Sequence, residues 1–268
     1  MFDYHIHTHF SPDSAMSMKE AIIAAIDKGL NEITITDHLD FDYNGKGSHI
    51  EFVIEDYFKA IANYQEEFKS VIKIKTGIEL GLQPHLTEAY RRVINSHPFD
   101  FAIASIHSVE KTDLYMGNYF QKKTQQEAYH IYFKELYEVV NLFDSFTVLG
   151  HLDVIKRYGA YDVPLPLEDF REVTSLILNK IIEKGKGIEL NTSGIRYQVG
   201  DYHPSLEVFK LYHSLGGEII SLGSDAHSTH HLAFDFNNAL RALKEIGFQY
   251  ICTFEKMKPI YHKIDEIL

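Results

Sequence analysis

Cysteine is almost missing from this chain. Only Cys252 is present, so no intramolecular disulfide can form, which argues against a disulfide-stapled secreted fold. Positive charge is scarce too: 26 Lys and Arg stand against 38 Asp and Glu, a formal net charge of −12. That field repels phosphate backbones and disfavours nucleic acid as a partner, while local metal ions or arginines still admit a phosphorylated small molecule. No run approaches about 18 apolar residues, so no membrane-spanning helix is expected. The Met-Phe-Asp-Tyr-His start carries neither a basic nor an apolar leader. Low-complexity tracts, Pro/Ser-rich hinges, charge blocks and fixed-period repeats are also lacking. These absences point to a cytoplasmic globular protein, read as one domain over residues 1–268. What is abundant is histidine, 16 residues of the side chain most used for metal ligation and for proton transfer near neutral pH.

Short β-like runs alternate with helical patterns. Strands are predicted at 2–7, 33–37, 72–78, 100–106, 145–150, 186–191 and 218–224, with helices at 18–29, 55–69, 86–96, 124–142, 168–184, 205–215 and 231–246. The strands are rich in Ile, Val, Phe and Thr, and several are apolar almost throughout, as strands covered on both faces are. Gly29, Gly185 and Gly247 mark helix ends, and Pro204 suits an early helix position. Regular alternation implies parallel strands with right-handed crossovers. The stretch 39–54, containing Gly45, Gly47 and His49, is the longest irregular segment and reads as a lid.

The ends of the strands choose between an open sheet and a barrel. All seven finish in polar residues, six of them in a potential metal ligand, and no GxGxxG or P-loop follows the first. Functional groups at the C-terminal ends of many strands fit a closed barrel, whereas a doubly wound sheet gathers them at one switch point. The expected fold is therefore α/β, a TIM-like barrel of about seven parallel strands, with 249–253 available as an eighth.

His5 and His7, two apart on a strand, point to the same side, as two ligands of one ion must. Taken alone, Glu79 reads as a solvated helix-entry charge, and His107 or His151 as a satisfied core residue. Recurrence at successive strand ends, together with Asp37-His38 and Asp225-Ala226-His227, reverses that reading. Imidazoles and carboxylates without thiolate suit Zn, Mn or Fe. The candidates outnumber the ligands of one tetrahedral site, which implies two or three divalent ions and metal-assisted hydrolysis of a phosphate ester. Arg157 and Arg196, just beyond strand ends, offer bidentate donors to phosphate.

The ordered series His5-Ile6-His7, Thr36-Asp37-His38, Gly77-Ile78-Glu79, Ser105-Ile106-His107, Gly150-His151 and Ser224-Asp225-Ala226-His227 resembles the PHP (polymerase and histidinol phosphatase) family nearly end to end. Within it, His151-Leu152-Asp153-Val154-Ile155-Lys156-Arg157-Tyr158-Gly159, the stretch from Ile188 to Arg196 and Asp113-Leu114-Tyr115 are most similar to the monofunctional histidinol-phosphate phosphatases. The resemblance implies a distorted (β/α)7 barrel with a trinuclear site at its C-terminal mouth. One ion would be held by His5, His7, Glu79 and Asp225, a second by Glu79, His107 and His151, and a third by Asp13, His38 and His227. It implies hydrolysis of L-histidinol phosphate to L-histidinol and phosphate in histidine biosynthesis. On physical grounds, a hydroxide bridging two ions would attack phosphorus in line, with the metals and arginines taking up charge on the equatorial oxygens. His38, Asp225 and His227 are the candidates for proton transfer. Asp40, Asp42 or Asp153 would receive the substrate's amine or imidazole, and Tyr115 would form an aromatic wall. The partner is then a small-molecule phosphate ester, with no nucleic acid and no membrane; a homo-oligomer is left open. Alternatives are another PHP phosphoesterase acting on protein phosphotyrosine or nucleotides, or a non-catalytic metal-binding PHP domain. Net charge weighs against a nuclease, and the complete ligand series against a dead domain. A mononuclear amidohydrolase-type barrel would carry a Lys at a middle strand end, and no strand here ends in Lys.

Overall fold

The apolar runs pair in chain order. The computed structural model describes residues 1–45 and 47–268, so Lys46 of the 39–54 stretch lies outside the described residues. Strands β1 (Phe2–Ile6), β2 (Glu32–Ile35), β3 (Lys73–Gly81), β4 (Phe101–Ser105), β5 (Val148–Leu149), β6 (Gly187–Asn191) and β7 (Ile220–Gly223) lie side by side in that sequence, all parallel. Just past its end β7 returns to β1: Ala226 bridges Ile6, the His7 N–H donates to Ala226 O at 2.9 Å, and the Ala226 N–H donates to His5 O at 3.2 Å. The sheet thus nearly closes into a seven-stranded barrel. Crossover helices include Met18–Asp27, Ile54–Glu67, Thr87–Ser96, Gln125–Leu142, Arg171–Glu183, Leu206–Ser214 and Phe236–Ile246. Capping boxes start two of them, Ser17 with Glu20 and Thr124 with Glu127, satisfying N–H groups that lack an intrahelical partner. Among the described residues, no helix is long and apolar enough to cross a membrane.

Outward-facing Ile33, Ile35, Ile78 and Leu80 pack into the large core shared with the helices. Inside, Tyr4, Phe101, Ile103, Val148, Cys252 and Phe254 form a second apolar cluster, the floor of the barrel. Two of these come from an antiparallel hairpin, Tyr250–Glu255 with Lys258–Lys263, which plugs the end where the strands begin. The 249–253 run is therefore not an eighth barrel strand; its apolar face is satisfied by plugging the barrel, with a strand of its own as partner.

Further departures from the sequence reading bear on the site. The 39–54 stretch is not wholly irregular: His38–Phe41 runs parallel to β3, with His38 opposite Glu79, and pairs back antiparallel with His49–Ile50. β3 continues past residue 78 to Gly81, so Glu79 sits within the strand. The helix at 205–215 begins at Leu206 with Ser205 at its N-cap, leaving Pro204 outside, and that at 231–246 begins only at Phe236. Finally, β1 pairs Asp3 with Ile33 but Ile6 with Ile35, one extra residue on β1. Such a bulge breaks the alternation of faces. Tyr4 enters the apolar floor while its neighbour His5 also turns inward, toward Glu79.

Candidate metal centre

Glu79 is the hub of the mouth. It is fully buried, and its two oxygens divide the cluster between them. Oε2 lies 3.2 Å from His5 Nε2, 3.4 Å from His7 Nε2 and 3.0 Å from His38 Nδ1. Oε1 lies 2.9 Å from His151 Nε2 and 3.3 Å from His107 Nε2. Asp225 Oδ1 stands 3.3 Å from His7 Nε2, 3.9 Å from His5 Nε2 and 3.5 Å from His227 Nδ1. Asp13, whose side chain is 54% exposed, approaches from the loop side, with Oδ2 3.0 Å from His227 Nε2 and 3.5 Å from His38 Nε2. The structure thus brings all nine candidate ligands to one mouth.

The arrangement has the chemistry of a cation site. His5 Nε2, His7 Nε2, His38 Nδ1 and Glu79 Oε2 are buried and make no hydrogen bond among the described residues. Buried polar atoms normally find partners, so facing orphans call for a missing one. Two ligands of a tetrahedral Zn2+ at about 2.0–2.1 Å stand about 3.3 Å apart, the spacing seen around Glu79 and Asp225. Donor atoms fall into four overlapping trios: His5, His7 and Asp225; His5, Glu79 and His151; His38, Glu79 and His107; and His7, His38 and His227. The residues therefore fit divalent ions, and the imidazole–carboxylate set suits Zn, Mn or Fe. Charge agrees. Burial alone would raise the Glu79 and Asp225 carboxyls, but His5 and the other histidines outweigh it and hold both well below the usual range, as anions. Burial, reinforced by His227 and His38, pushes His7 well below its ordinary value, toward the neutral ring that ligation requires. Around His5, His38 and His107 the carboxylates outweigh burial and push the rings upward, so that an ion bound there would displace protons.

Supporting contacts orient these rings. His107 Nδ1 meets Asp40 Oδ2 at 2.6 Å, His5 Nδ1 meets Glu189 Oε1 at 2.5 Å, and His7 Nδ1 meets Ser11 Oγ at 3.2 Å. Gly81 makes room for the first pair, since a Cβ there would fall 2.3 Å from the Asp40 carboxyl carbon. Asp37, part of the Thr36-Asp37-His38 motif, accepts from the Thr8 N–H, the Thr8 hydroxyl and the Ser11 hydroxyl at 2.6, 2.8 and 2.7 Å, fixing the loop that leads to Asp13. His151 and Asp225 hold positive φ, +23° and +53°, a conformation that costs a side-chain-bearing residue about 1–3 kcal/mol and persists only under support.

Above the cluster opens a cavity of about 680 Å3, walled by Arg157, Tyr158, Tyr197, Tyr43, Asp113 and Tyr115 among others. Among the described residues, no hydrogen bond or ion pair engages the Arg157 guanidinium. It lies 3.2 Å from the Tyr197 ring centroid and 5.3 Å from that of Tyr158. Stacking occupies the guanidinium's face and leaves its N–H edge for an anion. Arg196 is placed otherwise: it is not among the cavity-lining residues, and its Nη atoms donate to Ser224 O and Asp225 O at 2.9 and 2.8 Å, while Nε is buried without a partner. It braces the Asp225 turn. Tyr115, 73% exposed, stands at the rim. Of the carboxylates considered for the amine, Asp40 is paired with His107, and Asp42 turns to the Gly47 N–H and His85. Asp153 is fully buried between His203, Ser205 and Lys156.

Sequence reasoning gave no site role to Asp113, Tyr158, Tyr197 or Glu189, although Asp113, Tyr158 and Glu189 lie inside the stretches that carry the family resemblance. For Glu189 a further signal was present: Gly-Ile-Glu-Leu occurs at both 77–80 and 187–190, and each copy places its Glu inside the barrel.

The family model described as PHP domain matches residues 3–193. The chain is 35% identical over 263 residues to a histidinol-phosphatase of Lactococcus lactis subsp. lactis, covering 96% of this chain and 95% of that one. It is 30% identical over 257 residues to a probable histidinol-phosphatase of Clostridium acetobutylicum, covering 96% and 97%. Its structure matches the crystal structure of histidinol phosphate phosphatase from Lactococcus lactis, complexed with Zn, L-histidinol and phosphate, with a TM-score of 0.89 and 33% identity over 97% of this chain and 98% of the other.

Proposed function

This chain belongs to the PHP domain family, and we propose that it is a metal-dependent phosphomonoesterase that hydrolyses L-histidinol phosphate to L-histidinol and phosphate, a step of histidine biosynthesis. The observation that carries this reading is the unpaired, ring-stacked Arg157 facing a buried imidazole–carboxylate cluster across one cavity of about 680 Å3. An anion clamp opposite a cation site is what a phosphate ester needs, and the volume suits a small metabolite. Similarity to relatives named histidinol-phosphatase over nearly the whole chain supports the substrate.

The nine residues His5, His7, Asp13, His38, Glu79, His107, His151, Asp225 and His227 would hold two or three ions, with Zn favoured by the likeness to the Zn complex. What such ions supply when bound is a water of lowered pKa and neutralisation of charge on the phosphoryl oxygens. The chain's own groups do the rest. Arg157 grips and orients the phosphate. Arg196, through the Ser224 and Asp225 carbonyls, keeps Asp225 in place. His227 meets the Asp225 carbonyl oxygen through Nδ1 at 3.1 Å and Asp13 Oδ2 through Nε2 at 3.0 Å, which sets it at the edge of the cluster as the candidate proton donor to the departing alkoxide. His38 and Asp225 serve as ligands. Asp113, a carboxylate in the cavity wall not committed to a histidine, receives the ammonium, with Tyr115 beside it. We read residues 1–268 as one catalytic domain working in the cytoplasm on a small molecule, without nucleic acid. The test is steady-state hydrolysis of L-histidinol phosphate beside nucleotides, phosphotyrosine and p-nitrophenyl phosphate, on protein of measured metal content. A kcat/KM for histidinol phosphate several orders of magnitude above the others is expected; weak, flat activity across the panel would overturn the substrate assignment.

A further inference from the structure

The barrel interior holds a second buried carboxylate that the reaction above does not use. Glu189 is 1% exposed and lies at the centre of β6, one layer below the mouth. Its Oε1 sits 2.5 Å from His5 Nδ1. Its Oε2 accepts the His151 backbone N–H at 3.0 Å and the Asn191 side-chain amide at 3.2 Å. One carboxylate therefore spans three strands and touches two candidate ligands, one by its ring and one by its backbone.

The surroundings are shaped for it. Gly223 of β7 faces Glu189 so closely that a Cβ there would fall 2.1 Å from Oε1 and 2.7 Å from His5 Cβ. The bulge in β1 lets His5 turn inward beside Tyr4 rather than alternate with it. His151, the residue whose N–H Glu189 accepts, is the one held at φ +23°. With Nδ1 turned to Glu189, Nε2 is the nitrogen that faces Glu79 and Asp225.

We propose that Glu189 is the positioning residue of the metal centre: it fixes the tautomer and ring plane of His5 and holds His151 in its strained conformation, so that both are preset for an ion. The inference rests on the metal-dependent reading above. A carboxylate behind a ligating histidine raises the ligand's basicity and removes its rotational freedom, and loss of such a partner lowers metal affinity about 10–100-fold. The variant Glu189→Gln keeps the shape, but an amide offers one acceptor oxygen where three donors converge, so either the His151 N–H loses its acceptor or His5 Nδ1 faces an N–H and the ring must carry its proton on Nε2. Zn2+ affinity would be measured by competition with a chromogenic chelator, beside melting temperature, on parent and variant. The expected result is a 10–100-fold weaker Zn2+ affinity, with kcat restored when Zn2+ is raised to saturation. If Glu189→Gln fails to fold, Glu189→Asp keeps the buried charge and shortens its reach by one methylene, and its Zn2+ affinity should fall in the same direction. A folded variant that binds Zn2+ within threefold of the parent overturns the inference, whatever its melting temperature. A parent that binds no Zn2+ and hydrolyses no phosphate ester fails the metal-dependent reading itself, a different outcome in the same experiment.

Discussion

Replacing Asp153 with Asn tests whether the turn that carries Arg157 is stapled by a buried charge. Asp153 is fully buried; Oδ1 meets His203 Nδ1 at 2.9 Å, and Oδ2 accepts the Ser205 N–H at 3.0 Å and faces Lys156 Nζ at 2.7 Å. Burial alone would raise this carboxyl, but Lys156 and His203 outweigh it and hold it well below the usual range. The amide keeps the size and loses the charge, stranding a Lys156 side chain only 9% exposed. Breaking one partner of such a buried pair costs about 3–5 kcal/mol. In a domain of this size, at about 2–4 °C per kcal/mol, melting should fall by roughly 6–20 °C at pH 7.

The sign of the pH dependence follows from the depressed carboxyl. Its stabilisation is fully present above the unfolded value of about 3.9 and is lost as pH falls from there toward the lower folded value. Thermal melts of parent and Asp153→Asn should therefore differ most above about pH 5 and converge in acid. Because Asp153 ties the Val154–Arg157 turn to the segment leading into the Leu206–Ser214 helix, KM for the phosphate ester should rise more than kcat falls. Melting curves that stay parallel down to pH 3, or a loss below about 1 kcal/mol, would refute the reasoning.

Arg157→Ala should raise KM about 10–100-fold with metal content unchanged, since only a charged hydrogen-bonding partner of phosphate is lost; steady-state kinetics beside metal analysis decide it. Arg196→Ala should lower both kcat and bound metal, because it also frees the Asp225 turn; a pure KM effect would place it on the phosphate instead. Exhaustive chelation should abolish hydrolysis and lower the melting temperature, with Zn2+ restoring both, because the clustered carboxylates lose their counter-charge. Asp113→Asn should weaken L-histidinol phosphate while leaving p-nitrophenyl phosphate, which has no amine, within threefold, read as the ratio of the two kcat/KM values.

Strand ends were legible because the signal there is local. A run such as Phe101–Ile106 is almost wholly apolar because it is covered on both faces, and His107, the first residue past it, where the chain meets solvent or an ion, is polar. Repetition of that pattern in seven runs pointed to the barrel and to most of its mouth residues without any knowledge of pairing, whereas Asp13, in a loop, came only from the family resemblance. What pairing alone decides was not legible. Nothing between Asp3 and Ile6 announces a bulge, yet the bulge is what allows Tyr4 and His5 to share the interior. The run at 249–253 has a strand's composition, but its partner Lys258–Lys263 reads Lys-Pro-Ile-Tyr-His-Lys, with no alternation of polar and apolar residues, and only the three-dimensional arrangement tells a plug from an eighth stave. Side-chain direction escapes for the same reason. Arg157 and Arg196 both stand a short way past strand ends, yet one lies open on Tyr197 and the other is spent on the Ser224 and Asp225 carbonyls. The two Gly-Ile-Glu-Leu segments make the point most sharply: four identical residues put Glu79 among five histidine rings and Glu189 behind one of them. The difference lies in height along the barrel, since Glu79 sits with His38 and His107 at the mouth, whereas Gly223 admits Glu189 beneath His5.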